Sequence, residues 1–363
     1  MSELLYSEVE NDLRASVRDL LSDRSPWTAV LARTETDQPY DLALWRTLAT
    51  ELGLAGLLVP EELGGAGASA REVAVVLEEL GRAVAPVPFL GSAVLATSAL
   101  LAAGDAELLP ELAAGNRTAT LGVTYTTAPN AVFPASVHVH NGRLTGRIGS
   151  VVDLDVAEFV VVPAVGAAGP ELHVVEVSSA RVTPVVPLDL TRRISHLELD
   201  GVSGRLLATG DAAEQALRSA LTTGAGLLAA EQLGLAQWCL DSTVDYAKTR
   251  YQFGRQIGSF QAIKHRLADL WAATSSALAT SRAAASALAT GEDVGVSVAV
   301  AAAYCSDVAV LAAEEALQLH GGIGMTWEHP VHLYLGRAKS SQLALGSPER
   351  HRAALATLID LPA

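Results

Sequence analysis

The sequence predicts an α+β protein, mostly α-helical, in which a small β domain separates an N-terminal helical domain from a C-terminal four-helix bundle. Apolar residues recur at helical spacing at both ends of the chain, whereas β-branched runs separated by turn residues occupy its middle. Strong alanine and leucine enrichment towards the C-terminus is typical of closely packed helices. We place the domain boundaries at residues 1–116, 117–208 and 209–363.

Composition narrows the classes of function. The chain has 363 residues and is 50% hydrophobic, enough to bury a large core in two or three packed subdomains. Forty acidic residues against 25 basic ones give a net charge of −15 without a basic stripe, which argues against a nucleic-acid partner. Cys239 and Cys305 lie in apolar helix-like stretches without metal-ligand spacing. We therefore expect free buried thiols, no metal site and a reducing, cytoplasmic location.

Helical periodicity predicts the N-terminal domain, which runs from Leu4 to about Ala114 with turns at Pro60 and at residues 64–67. Because apolar side chains three and four residues apart share one helix face, two runs stand out. These runs are Leu13, Val17, Leu20 and Leu21, and Val73, Val76, Leu77 and Leu80.

The middle domain is predicted from β-branched runs at residues 160–162, 173–177 and 182–186. Asn141-Gly142, Gly166 and Gly169-Pro170 break these runs and mark turns. His138 and His140 alternate on a predicted strand, so we expect both to lie on one solvated face.

Helical periodicity returns from about Ala212 to Thr357. Apolar runs at residues 90–101 and 296–313 are too short, or are interrupted by Asp307, to be convincing membrane spans, so we expect buried helices and no membrane partner. One apolar helix face is predicted from Ile263, Leu267, Leu270, Trp271 and Leu278.

Two segments of the C-terminal domain carry the most specific signal. The first reads Arg-Tyr-Gln-Phe-Gly-Arg at 250–255 and continues to Phe260-Gln261. The second reads Gln-Leu-His-Gly-Gly-Ile-Gly at 318–324 and continues to Thr-Trp-Glu-His-Pro at 326–330. Together with the order of the three domains and Pro-Glu-Glu-Leu-Gly-Gly at 60–65, these segments resemble the acyl-CoA dehydrogenase family across nearly the whole chain.

The resemblance implies FAD bound between subunits, with the isoalloxazine ring on one chain's β domain and the pyrophosphate and adenine on the neighbour's bundle. An arginine fork suits a diphosphate, and glycines let backbone amides approach a ligand. The alternative is structural: Arg250 would cap a helix, and Gly321-Gly322 would only turn the chain. The implied contacts are Arg250 to the pyrophosphate, Gln252 and Phe253 to the adenosine half, Gln261 to a phosphate or ribose oxygen, and Gln318 with Gly321 and Gly322 to the adenine end.

The sequence departs from the family on the ring side. The family carries a Thr-Glu-Pro, then a Gly-Ser-Asp, and later an aromatic residue with a threonine against the flavin ring. Here residues 122–129 and 146–152 retain only hydroxyls such as Thr124 and Thr126. We expect this chain's own β domain to hold an isoalloxazine ring weakly.

The catalytic base is missing at both positions where the family places it. Dehydrogenation of an acyl thioester needs a carboxylate that removes the α-proton while hydride leaves the β-carbon for the flavin. The usual position reads Leu345, and the alternative position reads Gly224, with Ala225 where a substrate-binding arginine would stand. Glu231 lies about 10 Å further along the same helix, which is too far for proton transfer. Glu349 is expected to be a surface charge.

Three hypotheses follow. The leading one is a non-catalytic subunit of a FAD-dependent acyl-CoA dehydrogenase, which supplies the adenine-side pocket to a catalytic sister chain in an α2β2 heterotetramer. The resemblance implies an acyl-CoA substrate, such as a steroid or fatty acid thioester, and electron-transfer flavoprotein as acceptor. The second is a self-sufficient homo-oligomeric flavoenzyme with an unusual base or other chemistry. The third is a scaffold protein that has lost flavin.

Overall fold

The N-terminal region is helical. The computed structural model describes residues 4–361, and its first helix begins after Ser7, which forms a capping box with Glu10. Two π-helical segments, Thr47–Glu51 and Phe89–Ala96, extend the third helix and lead into the fifth. The helices are α1 (Glu8–Arg24), α2 (Trp27–Thr34), α3 (Leu42–Arg46), α4 (Ala70–Arg82), α5 (Thr97–Ala102) and α6 (Leu109–Ala113).

The middle region is one sheet with strand order β6-β7-β3-β2-β4-β5-β8, in which β1 also pairs with β4. β1 and β2 run parallel to β4, and the other pairs are antiparallel. The strands are β1 (Ala119–Leu121), β2 (Val137–His140), β3 (Arg143–Val152), β4 (Phe159–Gly166), β5 (Gly169–Glu176), β6 (Arg181–Pro184), β7 (Ile194–Ser203) and β8 (Arg205–Thr209).

Turn chemistry sets the register of this sheet. Asn141 and Gly142 both have positive φ, and they form the two-residue turn between β2 and β3 that pairs His140 with Arg143. As predicted, His138 and His140 share a face, with ring centroids 6.3 Å apart. Near its end β3 loses register with β7, and Ser150 adopts a φ of +52° there. The Ser150 carbonyl in this irregular stretch accepts from the Tyr125 amide, as described below.

The C-terminal region is helical, so the predicted fold class is confirmed. α7, α8, α9 and α10 pack together, and α11 packs on α9. Trp271 was predicted on the apolar face of α8, but it is 64% exposed. The buried side of this helix instead follows Leu270, Thr274 and Ala277. The elements are α7 (Gly210–Thr249), β9 (Tyr251–Gln252), β10 (Arg255–Gln256), α8 (Gln261–Thr290), α9 (Val294–His320), α10 (Val331–Leu343) and α11 (Pro348–Leu358).

Two glycines let α4 and α7 cross with their backbones in contact. An ideal Cβ at Gly81 would lie 2.2 Å from the Glu231 carbonyl oxygen, and one at Gly234 would lie 1.9 Å from the Glu78 carbonyl oxygen. No side chain fits at either position, so the N-terminal and C-terminal helical regions approach as closely as helices can. A single apolar core spans this junction, and a second lies within the β domain.

α9 is a long and strongly apolar helix. By length and composition alone, α9 with the turn after it is the one described segment that could cross a membrane. Its residues Ala301, Cys305, Ala309 and Ala312 are fully buried against neighbouring helices. Packing in the bundle therefore accounts for the hydrophobicity of this helix. The two cysteines are free and buried, as predicted, and burial raises the pKa of the Cys305 thiol to about 12.

Candidate functional site

The two sequence positions that lack a catalytic base lie side by side in the structure. Gly224 sits inside α7, and Leu345 follows α10 with a φ of +54°. An ideal Cβ at Gly224 would lie 3.0 Å from Leu345 Cδ1 and 2.4 Å from Leu95 Cδ2. Leu345 is only 1% exposed. This region is therefore a dry apolar contact with no ionisable group at either position.

Glu231, two helical turns beyond Gly224, is fully buried and already engaged. Arg192 Nη1 donates to Glu231 Oε1 over 2.9 Å, the second Arg192 nitrogen donates to Oε2, and Arg337 Nη1 lies 3.4 Å from Oε1. Burial alone would raise the pKa of Glu231, but the charges of Arg192 and Arg337 outweigh it and lower that pKa. A carboxylate held between two guanidinium groups is a weak base, so Glu231 does not replace the missing one.

The same charges tie three regions of the chain together. Arg337 of α10 also bonds Asp189 and Thr191, which precede β7, and Arg192 lies 3.4 Å from the Tyr125 hydroxyl. Asp189, Arg192, Glu231 and Arg337 are each buried. This network, which we call the central ion-pair network, fixes α7 and α10 to the β domain.

The segment expected beside a flavin ring is bonded to the base position. The Leu345 amide donates to the Tyr125 carbonyl over 2.8 Å, and the Tyr125 amide donates to the Ser150 carbonyl over 2.9 Å. The Ser150 amide donates to His196 Nδ1. Thr124 is exposed beside this chain of bonds. The described arrangement thus brings Leu345, residues 122–129 and the irregular part of β3 together.

The first bundle motif forms an exposed hairpin at the C-terminal end of α7. Arg250 ends the helix, and its carbonyl accepts from the Ile257 amide. Within the described residues the Arg250 guanidinium has no hydrogen-bond or ion-pair partner, whereas Arg255 lies over the Phe260 ring, 3.8 Å from its centroid. Phe253, at the tip with a φ of +53°, is 90% exposed. Gln252 and Gln261 are exposed as well.

The second motif forms the turn after α9, at the same end of the bundle. The His320 ring stacks on Tyr246, one helical turn before Arg250, with centroids 4.5 Å apart. Gln318 is exposed two residues before His320. Gly321 has a φ of +61°, and an ideal Cβ at Gly321 or Gly322 would meet no atom within 4 Å. The structure therefore brings both motifs together on one exposed surface.

Histidines and aromatic residues support this surface from below. His320 and His329 have ring centroids 4.2 Å apart, and Trp327 packs against His332 at 4.4 Å. Burial, with the nearby charges of His320 and His332, lowers the pKa of His329 to about 4. The layer is thus predominantly uncharged at neutral pH. Trp327 and Met325 of the same segment are largely exposed.

The two halves of an FAD site fit this chain unequally. On the adenine side, a guanidinium without a partner, exposed amide side chains and open glycine backbone match the needs of a diphosphate and a nucleoside. On the ring side, residues 143–152 contain no aromatic residue, Tyr125 is buried, and Leu345 fills the adjoining space. The residues present fit the adenosine diphosphate half of FAD and do not fit its ring.

Neither the central ion-pair network nor the contact of Leu95 with Gly224 is predictable from the sequence. Arg192, Glu231 and Arg337 are separated by more than a hundred positions in total, and no spacing rule links them. Among residues 4–361 no group of three or more His, Cys, Asp or Glu side chains could hold a metal ion. Glu349 is exposed, in agreement with its expected role as a surface charge.

Comparisons with known proteins match the chain at both ends. The profile "Acyl-CoA dehydrogenase, N-terminal domain" matches residues 7–116, and "Acyl-CoA dehydrogenase, C-terminal domain" matches residues 214–359. The protein named "Acyl-CoA dehydrogenase IpdE2" of Mycobacterium tuberculosis is 39% identical over 338 residues, which cover 93% of this chain and 92% of that protein. Its namesake from Mycolicibacterium smegmatis is 39% identical over 342 residues, covering 94% of this chain and 96% of that protein.

Chains of two solved structures are also similar to this chain over almost its whole length. The ChsE4-ChsE5 complex from Mycobacterium tuberculosis contains a chain with a TM-score of 0.88 and 29% identity, covering 99% of this chain and 100% of that one. A chain of the Tcur3481-Tcur3483 steroid ACAD G363A variant has a TM-score of 0.86 and 30% identity, covering 97% of this chain and 98% of that one. Profiles that span more than half of the sequence and relatives of this identity lead to one conclusion: the chain belongs to the acyl-CoA dehydrogenase family.

Proposed function

We propose that this chain is the non-catalytic subunit of a heteromeric, FAD-dependent acyl-CoA dehydrogenase. The observation that carries the proposal is the apolar contact of Leu345 with Gly224, because both positions of a base are buried and neither can ionise. Glu231, the buried carboxylate on the same helix, is held by Arg192 and Arg337. A chain of this family without a base requires a sister chain for proton removal from the substrate.

Retention of the adenine-side surface supports the second half of the proposal. When bound, FAD supplies the acceptor for hydride in this class of reaction. Arg250 would neutralise the pyrophosphate, Gln252 and Phe253 would contact the adenosine half, and Gln261 would bond a phosphate or ribose oxygen. Gln318 and the backbone of Gly321 and Gly322 would hold the adenine end. The isoalloxazine ring would lie on the sister chain.

The exposed apolar side chains around this surface also favour a partner chain. Tyr251, Phe253, Met325 and Trp327 are each more than half exposed. Large exposed apolar patches in soluble proteins mark interaction sites. Similarity to chains of two complexes that are named as pairs, ChsE4-ChsE5 and Tcur3481-Tcur3483, supports an α2β2 assembly for this chain. The steroid description of the second complex makes a bulky CoA thioester our proposed substrate class. Membership of the family makes electron-transfer flavoprotein our proposed acceptor.

The direct test is the flavin content of the chain purified alone and after co-expression with the acyl-CoA dehydrogenase-like chain encoded beside it. We expect a colourless chain alone and a mixed complex with one FAD per unlike pair, measured by flavin absorbance and native mass. A yellow chain with one FAD per monomer contradicts the proposal and supports a self-sufficient enzyme. A colourless mixed complex supports a flavin-free scaffold.

Arg250→Ala tests the adenine side in that complex. Because a charge-assisted contact to the diphosphate is lost, we expect FAD affinity to fall at least about tenfold without loss of assembly. Arg255→Ala is the matched control, since Arg255 is an exposed arginine of the same hairpin whose guanidinium lies over Phe260. Equal FAD retention in both variants would contradict the role of Arg250.

A further inference from the structure

A series of aromatic rings runs through the C-terminal helices towards the adenine-side surface. Trp238 and Tyr334 lie parallel with ring centroids 3.6 Å apart, and the Trp238 centroid lies 6.4 Å from that of His329. The His329 ring lies 4.2 Å from His320, and the His320 ring lies 4.5 Å from Tyr246. These side chains come from α7, α9, α10 and the turn before α10. We call Tyr246, His320, His329, Trp238 and Tyr334 the aromatic stack.

Two rings of the aromatic stack belong to the helix ends that carry the two bundle motifs. Tyr246 lies in the last turn of α7, and its carbonyl accepts from the Arg250 amide over 2.8 Å. His320 ends α9, and the turn that begins at Gly321 folds back on it, since an ideal Cβ at Gly324 would lie 3.1 Å from the His320 Cβ. Each ring is therefore connected through the backbone to a segment that would contact FAD.

The two motifs have no direct polar contact with each other. Among the described residues no hydrogen bond or ion pair joins the first motif to the second. His320 is 3% exposed, and its Nδ1 donates to the Ala316 carbonyl over 2.7 Å, which fixes the orientation of the ring. Burial lowers the pKa of His320, so the ring is predominantly neutral at neutral pH. A neutral, oriented ring in contact with Tyr246 thus links the ends of α7 and α9.

We propose that His320 is a positioning residue for the adenine-side surface and that it acts through its stack on Tyr246. The inference rests on the proposed function for its ligand. FAD must meet Arg250 with its diphosphate and the Gly321 backbone with its adenine end at the same time, so a fixed spacing between the motifs favours binding. Without the ring of His320, the hairpin and the glycine turn would be free to take a range of spacings.

The test replaces His320 and measures the FAD affinity of the mixed complex. His320→Ala removes the ring, and we expect the affinity to fall about tenfold. His320→Phe keeps a ring in the aromatic stack but has no ring nitrogen, and we expect an affinity within about twofold of the unmodified complex. Tyr246→Ala should match His320→Ala, and the double variant should lose no more than either, because both changes remove one contact.

His351→Ala is the matched control, because His351 is a buried histidine of α11 that stacks on neither motif. We expect this change to leave the FAD affinity as it is, and thermal unfolding checks that each variant folds. An equal loss of affinity in His351→Ala overturns the proposal. So does a folded His320→Phe complex that binds FAD as weakly as His320→Ala.

Hydrogen exchange in the full chain alone separates this inference from the subunit assignment. The Ile257 amide donates to the Arg250 carbonyl over 2.9 Å and closes the hairpin. We expect faster deuterium uptake at residues 251–257 in His320→Ala than in His320→Phe or the unmodified chain. Equal uptake in all three overturns the positioning role of His320. Faster uptake in His320→Ala, together with a mixed complex that holds no FAD, contradicts only the proposed function.

Discussion

Glu231 illustrates at the residue scale how surroundings decide what a carboxylate can do. It is the buried acid on the helix that carries Gly224, yet Arg192 and Arg337 hold it as an ion. The two guanidinium groups need this negative charge as much as Glu231 needs them, since all three side chains are buried. Its role is to join α7 and α10 to the β domain.

Replacing Glu231 by glutamine leaves both arginines buried with less compensating charge. We expect Glu231→Gln to lower the free energy of unfolding by about 3–5 kcal/mol, measured by urea denaturation. Glu349→Gln is the control, and a surface change of this kind is expected to stay within about 0.5 kcal/mol. A Glu231→Gln protein that keeps full stability but loses turnover in the complex would make Glu231 a base instead of a structural ion.

At the scale of elements, the crossing of α4 and α7 decides how closely the two helical regions approach. Gly234 faces the Glu78 carbonyl, and Gly81 faces the Glu231 carbonyl, so each helix presents bare backbone to the other. Backbone atoms cannot turn away as a flexible side chain can. A methyl group added here must separate the helices and disturb the central ion-pair network beside them.

We therefore expect Gly234→Ala to destabilise the chain by about 2–3 kcal/mol, although alanine is the better helix former. The matched control is Gly295→Ala in α9, where the nearest atom to an ideal Cβ is Leu358 Cδ1 at 3.4 Å. That change should be neutral or slightly stabilising. Equal unfolding midpoints for the two variants in urea would show that the crossing can relax.

Elements of this fold could be predicted where one periodicity dominates. Val73, Val76 and Leu80 repeat at helical spacing and are buried in α4, and Asn141-Gly142 makes its turn because of backbone preferences local to two residues. The prediction that Trp271 lies on the apolar face of α8 was wrong, because helical spacing alone does not fix where an apolar stripe stops.

The candidate site also has one part that could be predicted from the sequence and one part that could not. The two bundle motifs could be found because each is contiguous in sequence, and the structure places them on one surface through Tyr246 and His320. The central ion-pair network could not, because it depends on tertiary proximity of distant charges. The contact of Leu95 with Gly224 could not be predicted for the same reason: nothing in its local sequence distinguishes Leu95 from other core leucines.

At the scale of the whole molecule, the two helical regions are also joined by a buried charge. Glu10 of α1 pairs with Arg282 of α8 and with Arg71 of α4, and Glu10 and Arg282 are almost fully buried. Burial opposes ionisation of Glu10, but bonds from Arg71, Ser7 and Arg282 outweigh it and lower the pKa from 4.5 to about 2. The N-terminal helix is thereby fastened to the bundle by an ionised acid.

This pairing predicts acid sensitivity with a defined direction. Because the pKa of Glu10 is lower in the folded chain than in the unfolded chain, its stabilisation is complete above about pH 4.5 and is lost as the pH falls towards about 2. The difference in unfolding free energy between the unmodified chain and Glu10→Gln should shrink over that interval, measured by urea denaturation at a series of pH values. A difference independent of pH would mean that Glu10 is not ionised when folded.

The contact of Leu95 and Leu345 over Gly224 also limits which side chains position 224 can carry. A glutamate at position 224 would collide with Leu95 and Leu345, so both leucines would have to move to admit it. A carboxylate at position 224 is thus destabilising until its neighbours also change. Substitutions at positions 95, 224 and 345 are therefore expected to be coupled, because the cost of each depends on the side chains at the other two.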